Sequence, residues 1–362
     1  ISCHGSMVIV HQIIEAYLTR GCVYATRGEF SARAFLNGKM DLIEAEAVND
    51  LINATTIEAK NVALLSLSGE TSRLVAPLRE DISALLALVE VGIDFPEYDE
   101  EEKATDASLI EGCRKIRASL RDLIARGEEG KIIREGIKVA IIGKPNVGKS
   151  SLLNALLEQD KAIVSAIPGT TRDIVEGELS LKGVPVHLLD TAGIRSSGDQ
   201  IEQLGVERSR RSIEEADYVV LVLDASRPID DEERQLMELT ADKRRLIVYN
   251  KDDLTDHKDS ENIYVSALNR KIEPLKDALY AMLGLSEEAY TAPSLSNERE
   301  LALLRRIDRD LAQAMEDAEA GITMDLLSVH LQSAYNAVRE LFGEEATQDL
   351  SDEIFSRFCV GK

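Results

Sequence analysis

No stretch of apolar residues is long enough to cross a bilayer, which takes about 18 to 20 of them, and no N-terminal signal segment is visible. Membrane-spanning and secreted classes are set aside, and a cytoplasmic protein is expected. Cysteine is scarce. Cys3, Cys22, Cys113 and Cys359 stand far apart with no CxxC pair, which argues against a zinc site and a disulfide framework, so they read as free thiols. Positive charge is short as well: 42 Lys and Arg against 65 Asp and Glu leave a net charge of −23, which repels nucleic acid at a distance. Any RNA contact must then come from a local basic patch or through a partner. Patches occur at Arg208, Arg210 and Arg211, at Lys243 to Arg245, and at Arg305 with Arg306, and such clusters are most often solvated helix faces. An initiating methionine is also missing. The chain opens at Ile1 inside what reads as a strand or turn, as a fragment would.

What is present points to more than one domain. At 362 residues and 44% hydrophobic content the chain is globular and exceeds what one core usually serves. From about Asp41 to Val91 apolar residues recur at helical spacing, with expected interruptions near Gly69 and Pro77. After an acidic link, Asp94 to Lys103, a second helix is expected over Ala107 to Ala125. Between about Arg134 and Leu285 the pattern changes to short β-branched runs alternating with amphipathic segments. Strands are expected at Ile137–Ile142, Ile174–Leu181, Val184–Leu189, Tyr218–Leu223, Arg245–Tyr249 and Ile263–Val265, the signature of a mostly parallel sheet flanked by helices. Helical spacing returns at Glu298 to Ala318, Asp325 to Phe342 and Thr347 to Phe358. An α/β module inserted in one helical domain covers more apolar surface than three domains in a row would.

The chemistry is concentrated at the expected strand ends. Gly143 to Ser150 reads GKPNVGKS directly after the first strand and before a helix, a turn that aims backbone N–H groups and a helix N-terminus at phosphate. Asn146, Val147, Gly148, Lys149, Ser150 and Ser151 would line it, with Lys149 on the β- and γ-phosphates and the Ser150 hydroxyl on Mg²⁺. A loop before the second strand, Ser165, Ala166, Ile167, Pro168, Gly169, Thr170 and Thr171, offers a threonine hydroxyl to complete the magnesium shell. Asp190, Thr191, Ala192 and Gly193 end the third strand, where Asp190 would hold the metal through water and the Gly193 N–H would meet the γ-phosphate. Asn250, Lys251 and Asp253 end the fifth strand, and a carboxylate there accepts two hydrogen bonds from the guanine edge that adenine cannot supply. Ser266, Ala267 and Leu268 would offer N–H groups to the guanine carbonyl. Each piece alone is weak; in this order, each at a strand end, they call for a guanine nucleotide.

One position departs from Ras-like enzymes. Where those carry a water-orienting glutamine after the DxxG glycine, this chain has Ile194, whose side chain cannot hydrogen-bond. Glu202 is the best replacement, and spacing leaves it open whether this carboxylate positions water or simply starts a helix. Arg172 and Arg195 are near, but an arginine beside such a loop is more often a structural ion pair. A monovalent cation at the Asn146 amide oxygen would supply the missing positive charge.

These motifs, together with Gly28 to Leu42 (GEFSARAFLNGKMDL) and Phe358 to Lys362 (FCVGK), closely resemble the MnmE (TrmE) family of tRNA-modification GTPases over essentially the whole chain. The resemblance implies an α/β P-loop (Ras-like) GTPase domain inserted in an all-α helical domain, beside the remnant of an α+β N-terminal folate-binding domain. The expected boundaries are 1–38 for that remnant, 39–133 and 286–362 for the helical domain, and 134–285 for the GTPase domain. It further implies a homodimer that works with the flavoprotein MnmG on C5 of the wobble uridine of tRNA, using a tetrahydrofolate that carries one carbon. Carried over by position, Asn146, Ser165, Ile167 and Thr170 match potassium ligands, Ser150 and Thr171 match magnesium ligands, and Glu202 matches the carboxylate that orients hydrolytic water. Lys39 and Lys362 match folate contacts, and Cys359 matches a cysteine important for modification. The family's HGG reads Cys3-His-Gly-Ser6 here, and a family folate-site glutamate would fall before Ile1. The rival readings are an Era- or Der-like ribosome-assembly GTPase, although no GxxG of a KH module is visible, and a helical scaffold that nucleotide locks without turnover.

Overall fold

A computed structural model describes residues 1–94, 99–159, 175–189, 211–255, 259, 261–344, 354–356 and 358. Two helices come first, α1 (Met7–Leu18) and, within the Gly28 to Leu42 signature, α2 (Glu29–Leu36). Then α3 (Leu42–Asn53) starts at Asp41, whose carboxylate accepts the Glu44 N–H at 2.8 Å while Glu44 accepts the Asp41 N–H at 2.9 Å, a reciprocal cap that fixes the helix start. Gly69, at φ 78°, turns the chain from α4 (Ile57–Leu67) into α5 (Glu70–Asp94).

Two expected boundaries move. The interruption at Pro77 does not occur, because α5 runs through it. A proline inside a helix costs about 3 kcal/mol, while α5 buries Val75, Leu78, Ile82, Leu85, Leu86 and Val89, each contributing about 1.5–3 kcal/mol. Burial wins. The acidic link expected before the second helix is partly helix itself: α6 spans Asp99–Glu135, 37 residues, so the stretch Ala107 to Ala125 is only its middle. Carboxylates in a first turn suit the positive end of the helix dipole. The helix expected at Thr347 to Phe358 lies outside the described residues except for a helical stretch at 354–356.

After α6 comes the sheet: β1 (Ile137–Ile142), α7 (Lys149–Gln159), β2 (Val175–Leu181), β3 (Val184–Leu189), β4 (Tyr218–Asp224), α8 (Asp231–Leu239), β5 (Arg245–Asn250), β6 (Ile263–Tyr264) and α9 (Glu273–Leu283). Strand order is β2-β3-β1-β4-β5-β6, parallel throughout except that β2 and β3 form an antiparallel hairpin. Alternation along the strands sorts the two faces. Val139, Ile141, Val220 and Val222 pack with Leu152 and Leu156 of α7 and Leu275 and Leu279 of α9. Ala140, Ile142, Val219, Leu221 and Leu223 face Leu236 and Met237 of α8. The crossovers place β1, β4 and β5 side by side with their C-terminal ends at one edge, where such sheets bind ligands.

Helices resume with α10 (Glu298–Glu319) and α11 (Met324–Phe342). They close one core with the helices before the sheet: Ile82 and Val89 of α5, Leu109, Cys113 and Leu120 of α6, Leu304 and Leu311 of α10, and Leu331 and Val338 of α11 belong to the same buried cluster. The α/β module is therefore an insertion in a single helical domain. Phe355 and Phe358 add a smaller cluster with Ala45, Phe35 and Met40, so Phe358 is a packing residue.

The chain passes into the sheet through one residue. Gly136, at φ 79°, separates Glu135 from Ile137, and a Cβ there would stand 2.3 Å from the Pro185 carbonyl oxygen. Beside this passage lies a buried ionic cluster from three helices. Arg299 grips both oxygens of Glu46 at 2.9 and 2.8 Å and donates to the Glu340 carbonyl at 3.1 Å; Arg134 reaches Asp50 at 2.6 Å; Glu300 accepts the Asn297 N–H at 3.0 Å. Three carboxylates thus share two guanidiniums. Burial, with Glu46 nearby, pushes Glu300 up to about 8, and burial also raises Asp50. A raised carboxyl in the folded state favours folding fully below its unfolded value of 4.5 and loses that contribution as pH climbs through about 8. We expect the melting temperature to decline between pH 6 and 9 in the wild type and to decline distinctly less in Glu300→Gln, as read by calorimetry across that range.

Candidate nucleotide site

The turn after β1 has the geometry its sequence calls for. Asn146 and Gly148 take left-handed backbone, at φ 65° and 97°, so the loop wraps back on itself before α7 begins at Lys149. Gly148 admits no side chain: a Cβ would lie 2.2 Å from the Asn250 Nδ2, and one on Gly143 would lie 2.4 Å from the Val222 carbonyl oxygen. Lys149 folds over the turn and donates to the Gly143 and Lys144 carbonyls at 2.7 Å each. Burial lowers its pKa from the usual lysine range, and no carboxylate pairs with it among the described residues. A desolvated ammonium at a helix N-terminus, ringed by main chain, fits phosphate. Ser150 and Ser151 sit in the first turn of α7, where N–H groups have no helical partner.

Asn250 joins three strand ends. Its Nδ2 donates to the Val147 carbonyl at 2.9 Å and its Oδ1 accepts the Ala267 N–H at 3.0 Å, with 2% of its surface exposed. Lys251 follows in left-handed backbone at φ 68°, and a short 3-10 turn, Asp252–Leu254, presents Asp253. Ser266 Oγ donates to Asp253 Oδ1 at 2.5 Å, and the Ser266 backbone bridges to Lys271. Leu268 is 82% exposed. The structure thus gathers Asn146, Val147, Gly148, Lys149, Ser150, Ser151, Asn250, Lys251, Asp253, Ser266, Ala267 and Leu268 at one edge of the sheet.

Other expected site residues lie outside the described residues: Ser165 through Thr171, Asp190 through Gly193, Arg172, Ile194, Arg195, Glu202, Cys359 and Lys362. Lys39 is exposed next to the turn that follows α2. Of the basic patches, Arg208 and Arg210 also lie outside the described residues, while Arg305 pairs with Glu128, Arg306 with Ser333, Arg211 with Glu215 and Lys243 with the Glu214 carbonyl.

Sequence reasoning missed a second set of polar residues here. Asp224, at the end of β4, accepts from Lys251 at 2.6 Å and from Ser226; burial opposes its charge, but these donors hold it below the usual carboxylate range. Asp230 caps α8 with Glu233 and accepts from Lys144 and Arg227, the Lys144 bond most of all keeping it well below that range. The signal was present: Asp-x-x-Glu two residues after Pro228 is a capping box.

A glycine-rich loop between β1 and α7, tied by an asparagine to the turns after β5 and β6 of a mostly parallel sheet, is the arrangement of a P-loop GTPase. Family models agree. One described as the MnmE helical domain matches residues 42–359, and one described as the GTP-binding protein TrmE N-terminus matches residues 1–39. The chain belongs to the MnmE family. It is 41% identical over 379 residues to the tRNA modification GTPase MnmE of Lacticaseibacillus paracasei, covering 100% of this chain and 81% of that one. For the Streptococcus pneumoniae protein of the same name the figures are 43% over 372 residues, 100% and 81%. Among solved structures, Era of Aquifex aeolicus with GDP and AlF4⁻ superposes on 48% of this chain and 66% of its own, with 27% identity and a TM-score of 0.32.

Replacing Asn250 by alanine would leave the Val147 carbonyl and the Ala267 N–H without their partner. We expect a loss of about 1–3 kcal/mol in denaturant unfolding, larger than for Asn154→Ala on the outer face of α7.

Proposed function

We propose that this protein is a K⁺-stimulated GTPase that acts with a flavoprotein of the MnmG type to modify C5 of the wobble uridine, U34, in tRNA. The observation that carries this reading is the likeness to tRNA modification GTPases along the whole chain, joined to a desolvated Lys149 whose partners among the described residues are carbonyls. In this reading Lys149 and the N–H groups from Asn146 to Ser151 bind the phosphates. Ser150 and Thr171 hold Mg²⁺, and Asp190 to Gly193 line the γ-phosphate. Bound potassium supplies the positive charge that an arginine gives elsewhere. Asn146, exposed in its left-handed turn, and Ser165, Ile167 and Thr170 would hold it. Asp253 selects guanine, steadied by the Ser266 hydroxyl, and Glu202 orients the attacking water in place of the glutamine that Ile194 lacks.

The same reading assigns residues 1–38 to the end of a folate-binding domain, 39–133 and 286–362 to the helical domain and 134–285 to the GTPase domain. Lys39 and Lys362 would touch a one-carbon tetrahydrofolate, and Cys359 would serve the modification. A cytoplasmic homodimer completes it. The acidic surface, net −23, favours a tRNA that reaches the complex through its partner.

Turnover of GTP by the full chain should be fast in K⁺ and slow in Na⁺ at equal ionic strength; equal rates would remove the potassium site, and no turnover with either would favour the locked scaffold. In Glu202→Ala we expect kcat to drop about 100-fold or more with nucleotide affinity nearly intact, since the group acts on the water. Asp253→Asn should weaken GTP and admit xanthosine triphosphate, and an unaltered preference for guanine would exclude that contact.

A further inference from the structure

Asp224 is 8% exposed at the end of β4, directly across from Asn250 in the β4–β5 register. Its two oxygens have separate tasks. Oδ1 accepts the Ser226 N–H at 3.0 Å and the Ser226 hydroxyl at 2.6 Å, closing the turn after the strand. Oδ2 accepts the Lys251 ammonium at 2.6 Å. From there charges alternate around the site. Arg227 Nε stands 3.9 Å from Asp224 Oδ2, Arg227 Nη1 donates to Asp230 Oδ2 at 2.8 Å, and Lys144 donates to that same oxygen at 2.7 Å. Lys144 belongs to the phosphate loop, and its carbonyl receives Lys149. The guanine-reading turn and the phosphate loop are therefore linked twice, once through the Asn250 amide and once through this ionic chain.

Asn250 fixes main chain, and it leaves the long Lys251 side chain to be aimed by something else. A lysine stem samples many rotamers unless a partner holds its end, and a buried carboxylate is a strong one. We propose that Asp224 is a positioning residue for nucleotide binding: it aims Lys251 along the guanine-reading turn and, through Arg227 and Asp230, holds that turn in place relative to the phosphate loop. The inference rests on the nucleotide-site reading above and adds to it a residue that does not touch the ligand.

The test is a double-mutant cycle on the full chain with GDP as the probe, read by titration calorimetry, with kcat and KM for GTP beside it. Asp224→Asn keeps an acceptor for the Ser226 turn and removes the charge. We expect Asp224→Asn and Lys251→Met each to raise the GDP dissociation constant about tenfold, the loss of one charge-assisted bond. The double variant should be no weaker than either single, because both remove one linkage. KM for GTP should rise with kcat within about twofold. Asp224→Glu, which keeps the charge, should recover part of the affinity, and Ser226→Ala should bind as the wild type does. Multiplying effects in the double variant, or unchanged affinity in Lys251→Met, would overturn the inference; the latter variant decides the matter even if Asp224→Asn does not fold. Wild-type protein that failed to bind GDP would instead overturn the nucleotide-site reading itself.

Discussion

Everything at the sheet edge depends on one side-chain amide. Asn250 satisfies a carbonyl of the phosphate loop with one end and an N–H of the Ser266–Leu268 segment with the other, and it is almost fully buried while doing so. Buried amide groups left unpaired cost about 1–3 kcal/mol each, so the three loops settle into the one arrangement that satisfies all of them. That arrangement presses Gly148 against the amide so closely that no other residue fits. It also leaves Lys149 desolvated under two carbonyls. An ammonium in that state, at a helix start, is suited to receive negative charge.

The strands were legible because their information is local. Alternating β-branched runs bounded by turn residues gave all six, with ends shifted by a residue at β4, β5 and β6, while Ile174, expected to open β2, lies outside the described residues. The phosphate loop was legible for the same reason: glycines, lysine and serine at fixed spacing encode a turn without help from distant residues. What escaped was whatever depends on partners far away in sequence. Helix α6 continues through an acidic stretch that composition alone assigns to a linker, and α5 continues through Pro77 because α6 and α11 cover its apolar face. Glu46, Asp50, Arg134, Arg299 and Glu300 each read as ordinary charges on a solvated helix, yet they bury one another across separations of up to 253 residues. No window on the sequence contains that information. Asp224 was hidden differently, as one more polar residue at a strand end.

The helical domain and the inserted sheet have largely separate buried clusters, joined where Val62 of α4 and Ile133 of α6 pack into the sheet's own. Polar contacts lie beside this packing. His187 of β3 donates its Nε2–H to the Glu135 carbonyl at 2.9 Å, and the hairpin turn at Gly183 meets Glu58 of α4 so tightly that a Cβ would collide with it. Interfaces of this kind rearrange more readily than packed apolar cores. The β2–β3 hairpin spans this boundary, and its outer ends lead to the stretches 160–174 and 190–210 that carry half of the expected site.

Gly136 is where the two bodies are joined on the entry side, and it offers no slack. A flexible tether would let the inserted module tumble and dissipate whatever work its nucleotide performs. A single tightly packed residue leaves little room for such tumbling, and it sits directly on the end of the 37-residue rod of α6, which runs into the core of the helical bundle.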